Sequence, residues 1–343
     1  MGMFTSSKRN ATFELVRIIA MVLAVCFYVT KAFPLGDYSG WGFTVCSVFY
    51  RLAAPFFLFL CGRFALSFDF ANKSLKDFYI KKTAYIVIPM LFFMICHYIF
   101  NTTEGSNETK AIDFFPCLAY QYKSTHFWLM YYLLFYILST PILSLMFKDI
   151  SDRALKSYIV VGLVFNSLSY YVDLVPTVDF SYANQFGKVL FYFFLGGLSD
   201  RIINLFGRKK LYIAGAVSFP IVLLQTFVFD TANTEYDLSP FYVVFAFSIY
   251  IFLTSLNIEK NKITSNALSF FGKYVFGVCM IQGIIIKHIV NNNILPTNNI
   301  WLFVCSGVIV VLIVSIVLSL FTDILLFGAI RRLLCYLSKK NNN

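Results

Sequence analysis

The sequence predicts an all-α polytopic integral membrane protein of about ten transmembrane helices with both termini in the cytoplasm, and three observations lead there. Of its 343 residues 59% are hydrophobic and only 13% charged, whereas a soluble globular domain carries about 45–50% apolar and about 25% charged residues. The mean hydropathy of +0.73 excludes a disordered chain, which could not stay solvated at that value. The apolar residues fall in runs of crossing length, since a hydrocarbon core about 30 Å thick needs roughly 20 apolar residues per helix. The charges then sort by side: 19 Lys and Arg lie in alternate connections and only three in the others, as cytoplasmic loops require. So many spans leave no room for a separate soluble domain, and 1–343 reads as a single transmembrane domain.

The spans are expected near 13–33, 41–67, 83–100, 126–147, 157–172, 185–202, 211–230, 239–257, 267–290 and 300–327. Lys8 and Arg9 precede the first, but no small-residue cleavage site ends it, so it reads as a retained helix rather than a signal peptide. Lys76, Lys81 and Lys82 place the entry of the third on the cytoplasmic side. Arg153 and Lys156 do the same for the fifth, and Arg208, Lys209 and Lys210 for the seventh. Asn166, Ser167 and Ser169 thin the fifth span, and Lys188 stands at the start of the sixth. The opposite connections carry Asp37, Glu104, Glu108, Asp113 and Asp173 among their acids. The net charge of +11 is thereby explained by topology and by attraction to an anionic inner leaflet, and it gives no reason to invoke nucleic acid.

Chemistry is best sought among the polar groups inside spans. Eight cysteines show no CxxC spacing and mostly lie within apolar runs, so they read as packing residues, and three histidines assemble no metal motif. No Gly-rich phosphate loop and no repeat of 20–50 residues is present. An ionisable side chain within a span costs roughly 2.5–3.5 kcal/mol on insertion, which makes Arg17, Arg51 and Asp323 functional candidates. Glu14 and Arg17 are three apart on one helix face, so a local ion pair accounts for both. Arg51 sits mid-span with no partner on its own helix. It reads either as a substrate-binding group or as half of a structural pair with Asp323.

The order of local patterns resembles the membrane-bound acyltransferase family three, which includes bacterial O-acetyltransferases of surface polysaccharides. The resemblance rests on Glu14-Leu15-Val16-Arg17 with Ala20, on Arg51 with Pro55-Phe56-Phe57 and Gly62, and on Lys81-Lys82 ahead of Pro89. It continues through His126-Phe127-Trp128 with Tyr132 and Pro141, Phe193-Phe194-Leu195-Gly196, and Ser269 to Val278. It implies an acyltransferase that takes an acetyl or other acyl group from acyl-CoA, as donor substrate and not as a bound cofactor, and passes it to a hydroxyl of a glycan or lipid-linked saccharide. The family carries a histidine eleven residues after the first-helix arginine, thought to be the general base, where this chain has Tyr28. A family arginine falls on Tyr85 and a family histidine on Gln282.

Carried over to this chain, the resemblance implies Arg17, Lys81 and Lys82 as cations for acyl-CoA, and Arg17, Tyr28 and His126 as catalytic groups. Arg51, Trp128 and Tyr132 would line the acceptor site, and no metal is involved. Phenol titrates near 10 and imidazole near 6.5, so Tyr28 is a poorer base than the histidine it stands for. Two other readings stay open here, a non-catalytic relative that binds or helps export a glycan and a ten-span transporter. Phe, Tyr, Asn and Lys usage fits an AT-rich bacterial coding sequence, so the bacterial inner membrane is the expected location.

Overall fold

The computed structural model describes residues 10–33, 41–67, 74–103, 127–148, 150–173, 181–229, 239–256, 258, 261–296, 299–328 and 330, and no strand occurs among them. The helices are α1 (Ala11–Lys31), α2 (Trp41–Tyr50), α3 (Ala53–Leu66), α4 (Leu75–Lys82), α5 (Ile88–Thr103), α6 (Trp128–Leu138), α7 (Thr140–Lys148) and α8 (Asp152–Asp173). They continue as α9 (Ser181–Gly197), α10 (Ser199–Phe206), α11 (Arg208–Val228), α12 (Pro240–Ser255), α13 (Lys262–Phe271), α14 (Val275–Asn291) and α15 (Ile300–Thr322). Among the described residues five helical segments are long and apolar enough to cross a bilayer, or up to eight if each of three bent pairs is one span. In the places of the two other expected spans stand α12, apolar but only 16 residues long, and α8, 22 residues long and less apolar.

The three bends have identifiable causes. α6 and α7 meet at 68° beside Pro141, whose ring cannot continue the preceding turn. α9 and α10 meet at 72° after Gly196-Gly197, and α13 and α14 at 50° across Gly272. The third span starts earlier than its apolar run because Ser74 caps Leu75–Lys82 by accepting from the Asp77 N–H. It then widens into a π-turn at Thr83–Val87, where the Ile88 N–H donates to the Thr83 carbonyl, one residue ahead of Pro89.

α1 is the axis of the bundle. Asn10 caps it by accepting from the Thr12 and Phe13 N–H groups, and it packs against α2, α3, α12, α13, α14 and α15. Its Ala11, Val16, Ala20, Met21, Ala24 and Val25 are all buried. The outward surface is apolar instead: Ile142, Leu145, Phe165, Ile213 and Leu325 are exposed, as residues facing lipid chains would be. Helix ends that the charge pattern puts on one side also meet each other. The Thr12 hydroxyl donates to the Leu256 carbonyl, Arg63 pairs with Asp200, and Arg201 pairs with Asp152 at 2.8 Å.

The tightest helix pair joins α3 to α9. A Cβ on Gly62 would collide with the Phe193 carbonyl, and one on Gly196 with the backbone of Phe59. Two of the sequence landmarks are therefore the two sides of one crossing. Lipid offers helices no net hydrophobic incentive to associate, so such close backbone contact carries the packing. Gly196→Ala is expected to lower stability by about 1–3 kcal/mol, because the backbone it meets cannot yield. Gly42→Ala, whose Cβ would make only an ordinary 3.7 Å contact with Trp301, serves as the control in a thermal-unfolding comparison in detergent.

Candidate functional site

Beside α1 two small chambers adjoin. The inner one, about 50 Å³, is lined by Arg17, Tyr85, Cys61, Gly272 and Val275, among others. The outer one, about 40 Å³, is lined by Tyr28, Tyr50, Gln282, Ala24 and Ala53, among others. Phe57, Met130 and Cys279 belong to both, so these three side chains stand between them. Both are clefts rather than sealed cavities, with about 600 and about 440 Å³ of empty space once their mouths are counted. Arg17 and Tyr28 are eleven residues apart on α1, which at 1.5 Å per residue separates them by about 16 Å along the helix. The arginine thus faces the chamber nearer the N-terminal end of α1, and the phenol the chamber farther from it.

Each wall follows from local sequence. α3 supplies Phe57 and Cys61 after its Pro55, α6 supplies Met130, and α14 supplies Cys279 and Gln282 one turn apart. Tyr85 enters from the π-turn, where the extra residue per turn displaces it from the register an unbroken helix would impose.

Arg17 is held by Glu14. Its Nη1 donates to both carboxylate oxygens, at 3.0 and 2.9 Å, and the two side chains are only 9% and 5% exposed. The carboxylate in turn occupies the space a Cβ on Gly272 would need. A bulkier residue there would push Glu14 off Arg17. The opening landmark of the chain and the landmark around Gly272 are therefore also two sides of one contact.

The other sequence candidates are placed as follows. Lys82 is half-buried, with its Nζ over the Phe78 ring at 5.3 Å and, like Arg17, within electrostatic reach of Cys61, whereas Lys81 is exposed. Arg51 is 1% exposed and lines neither chamber. Its Nη2 donates to the Thr226 hydroxyl at 2.7 Å, its Nε to the Ser47 carbonyl at 3.3 Å, and the guanidinium lies over the Tyr242 ring at 5.4 Å. These contacts tie α2 to α11 and α12 and give the arginine a structural account. Tyr132 lines neither chamber and stacks on Tyr136 at 6.4 Å. Trp128 opens α6, its indole outside the described side chains, and His126 lies outside the described residues.

No histidine lines either chamber among the described residues. His97 is buried on α5 and its Nε2 donates to the Met280 carbonyl at 2.8 Å, between Cys279 and Gln282 of α14, while His288 is exposed near the end of that helix. Sequence reasoning found Tyr28, Tyr85 and Gln282 only as departures from a resemblance, and it missed Tyr50, Phe57, Met130 and Cys279 as site residues. Pro55-Phe56-Phe57 was the one local signal for any of these four. Among the described residues no group of His, Cys, Asp or Glu could hold a metal.

The chain matches the family model described as an acyltransferase domain over residues 10–320. No curated protein and no solved structure matches it. Removing one member of a buried ion pair costs about 3–5 kcal/mol because the other charge is left uncompensated, whereas replacing both can be neutral. Glu14→Ala is accordingly expected to destabilise the protein by about that amount, and Glu14→Ala with Arg17→Met to recover most of it, in thermal unfolding of the detergent-solubilised protein.

Proposed function

Since the chain belongs to the membrane acyltransferase family three, as the match over residues 10–320 establishes, we propose that it moves an acetyl group from acetyl-CoA to a hydroxyl of a cell-surface glycan or lipid-linked sugar at the bacterial inner membrane. The observation that carries this reading is the pair of adjoining chambers along α1, with Arg17 in the inner and Tyr28 in the outer. A donor entering from the cytoplasm and an acceptor held on the other side can meet there.

In this reading Lys81 and Lys82, on the cytoplasmic approach, bind the phosphates of acyl-CoA, lysine acting as a point charge. Arg17, oriented by Glu14, completes the cationic entry and faces the acyl end. The acceptor oxygen attacks the thioester carbonyl carbon, a new C–O bond forms, and the C–S bond breaks. The acceptor's proton passes to the Tyr28 oxygen as the phenol gives its own to the departing sulfur, so CoA leaves as the thiol and the phenol is restored. Such a relay asks no group to hold a full charge in a low-dielectric cavity, which suits a residue that is a poor base on its own. Phe57, Met130 and Cys279 restrict passage between the chambers and keep water from competing for the thioester.

The test is mass spectrometry of O-acetyl groups on the surface polysaccharide of a deletion strain complemented with variants. The natural chain restores acetylation and Arg17→Ala does not. Tyr28→Phe, which keeps the ring and removes the relay hydroxyl, lowers it by about 10²–10⁴-fold, the usual range for loss of a proton-transfer group. Acetylation indifferent to the deletion, with a change in glycan export instead, overturns the reading in favour of a non-catalytic relative.

A further inference from the structure

The outer chamber holds a polar group with nothing to do in the folded protein. Gln282 on α14 is 1% exposed, its Oε1 is fully buried, and no hydrogen-bond partner meets that oxygen. A buried unsatisfied carbonyl oxygen costs stability and is retained in native structures for a reason. The side chain lines a chamber into which two phenols, Tyr28 and Tyr50, also turn.

We propose that Gln282 is the acceptor-binding residue, its Oε1 accepting a hydrogen bond from a saccharide hydroxyl beside the one that is acylated. The assignment rests on the reading of the two chambers given above and extends it to the residue that holds the acceptor. Among the described residues, those lining the outer chamber carry no charged side chain. An alkylammonium would therefore enter without a counter-ion and would still have to lose a proton before it could attack. A neutral alcohol needs neither. Its O–H is free to face the Tyr28 oxygen that takes the proton, its oxygen keeps lone pairs for the incoming carbonyl carbon, and a neighbouring hydroxyl of the saccharide donates to Gln282 Oε1. The chamber is thus built for O-acylation of an uncharged hydroxyl rather than for N-acylation of an amine. Tyr50, the last residue of α2, closes another side of the chamber.

Gln282→Met separates this role from a structural one, because methionine fills nearly the same volume and offers no strong acceptor. If Gln282 waits for substrate, the substitution removes an unsatisfied oxygen, so the midpoint of thermal unfolding in detergent stays level or rises. Acetyl-CoA binding by the purified protein stays unchanged. Glycan O-acetylation in the complemented strain, normalised to protein in the membrane, falls at least about tenfold, as expected when a site built to bind a hydroxyl loses its partner. Gln282→His, which keeps an acceptor nitrogen, retains more transfer than Gln282→Met. Undiminished acetylation by Gln282→Met overturns the proposal. So does a lowered unfolding midpoint, which marks a structural residue, or weakened acetyl-CoA binding, which marks a donor contact. A natural chain that neither binds acetyl-CoA nor restores acetylation overturns the acyltransfer reading itself, a result visible before any Gln282 variant is compared.

Discussion

An arginine placed in an apolar bundle must be compensated where it stands, and Glu14 on the same face of α1 does so for Arg17. Much of the structure follows from accommodating that pair. The carboxylate needs room at the foot of α1, and Gly272 provides it by having no side chain, at the same point where α13 gives way to α14 with a 50° bend. The bend brings Val275, Cys279 and Gln282 of α14 alongside α1, and these residues form one wall of both chambers. A single ion pair thus connects the residues at the start of α1 to the helix that walls both chambers.

The second constraint is close backbone approach without a hydrophobic driving force. α3 and α9 meet through Gly62 and Gly196, and this crossing fixes the face that α3 turns toward α1, with Phe57 and Cys61 directed into the chambers. The order of landmarks along the sequence is informative for this reason. Each is half of a contact whose other half lies far along the chain. They read as separate weak patterns in one dimension and as two joints in three.

Composition and hydropathy were sufficient for the membrane class and the all-helical architecture, because those depend on lengths and transfer energies that add along the chain, whereas five to eight of the ten expected spans are long and apolar enough to cross a bilayer among the described residues. Two of the bends were less legible. Pro141 marks its own break, but Gly196-Gly197 and Gly272 bend the chain because of what they pack against. Arg51 shows the same limit from the other side. Its charge at mid-span is plain in the sequence, but its partners, Thr226 and the Tyr242 ring, come from α11 and α12 far along the chain. Gln282 is harder still, since a lone amide in an apolar helix has no periodic signal, and its orphaned oxygen exists only once the neighbouring helices are in place. Among the described residues the convergence of Tyr28, Tyr50 and Gln282 was therefore not available to pattern reading.

The departures from the family resemblance make physical sense as a set. Tyr28 stands where a histidine is expected, Tyr85 where an arginine is expected and Gln282 where another histidine is expected, and all three line the same pair of chambers. Each exchange replaces a group that carries or can acquire a positive charge by a neutral hydrogen-bonding group of comparable reach. In a largely apolar cleft inside a helix bundle, forming a charge is expensive, because little solvent can follow it. A site that gives up its cations one at a time would be left with an unbalanced field. One that gives them up together, keeping only the self-compensated Glu14–Arg17 pair, can run transfer through neutral donors and acceptors. As departures from that resemblance, the three residues are better understood as one difference in the electrostatics of a shared cavity than as three separate ones.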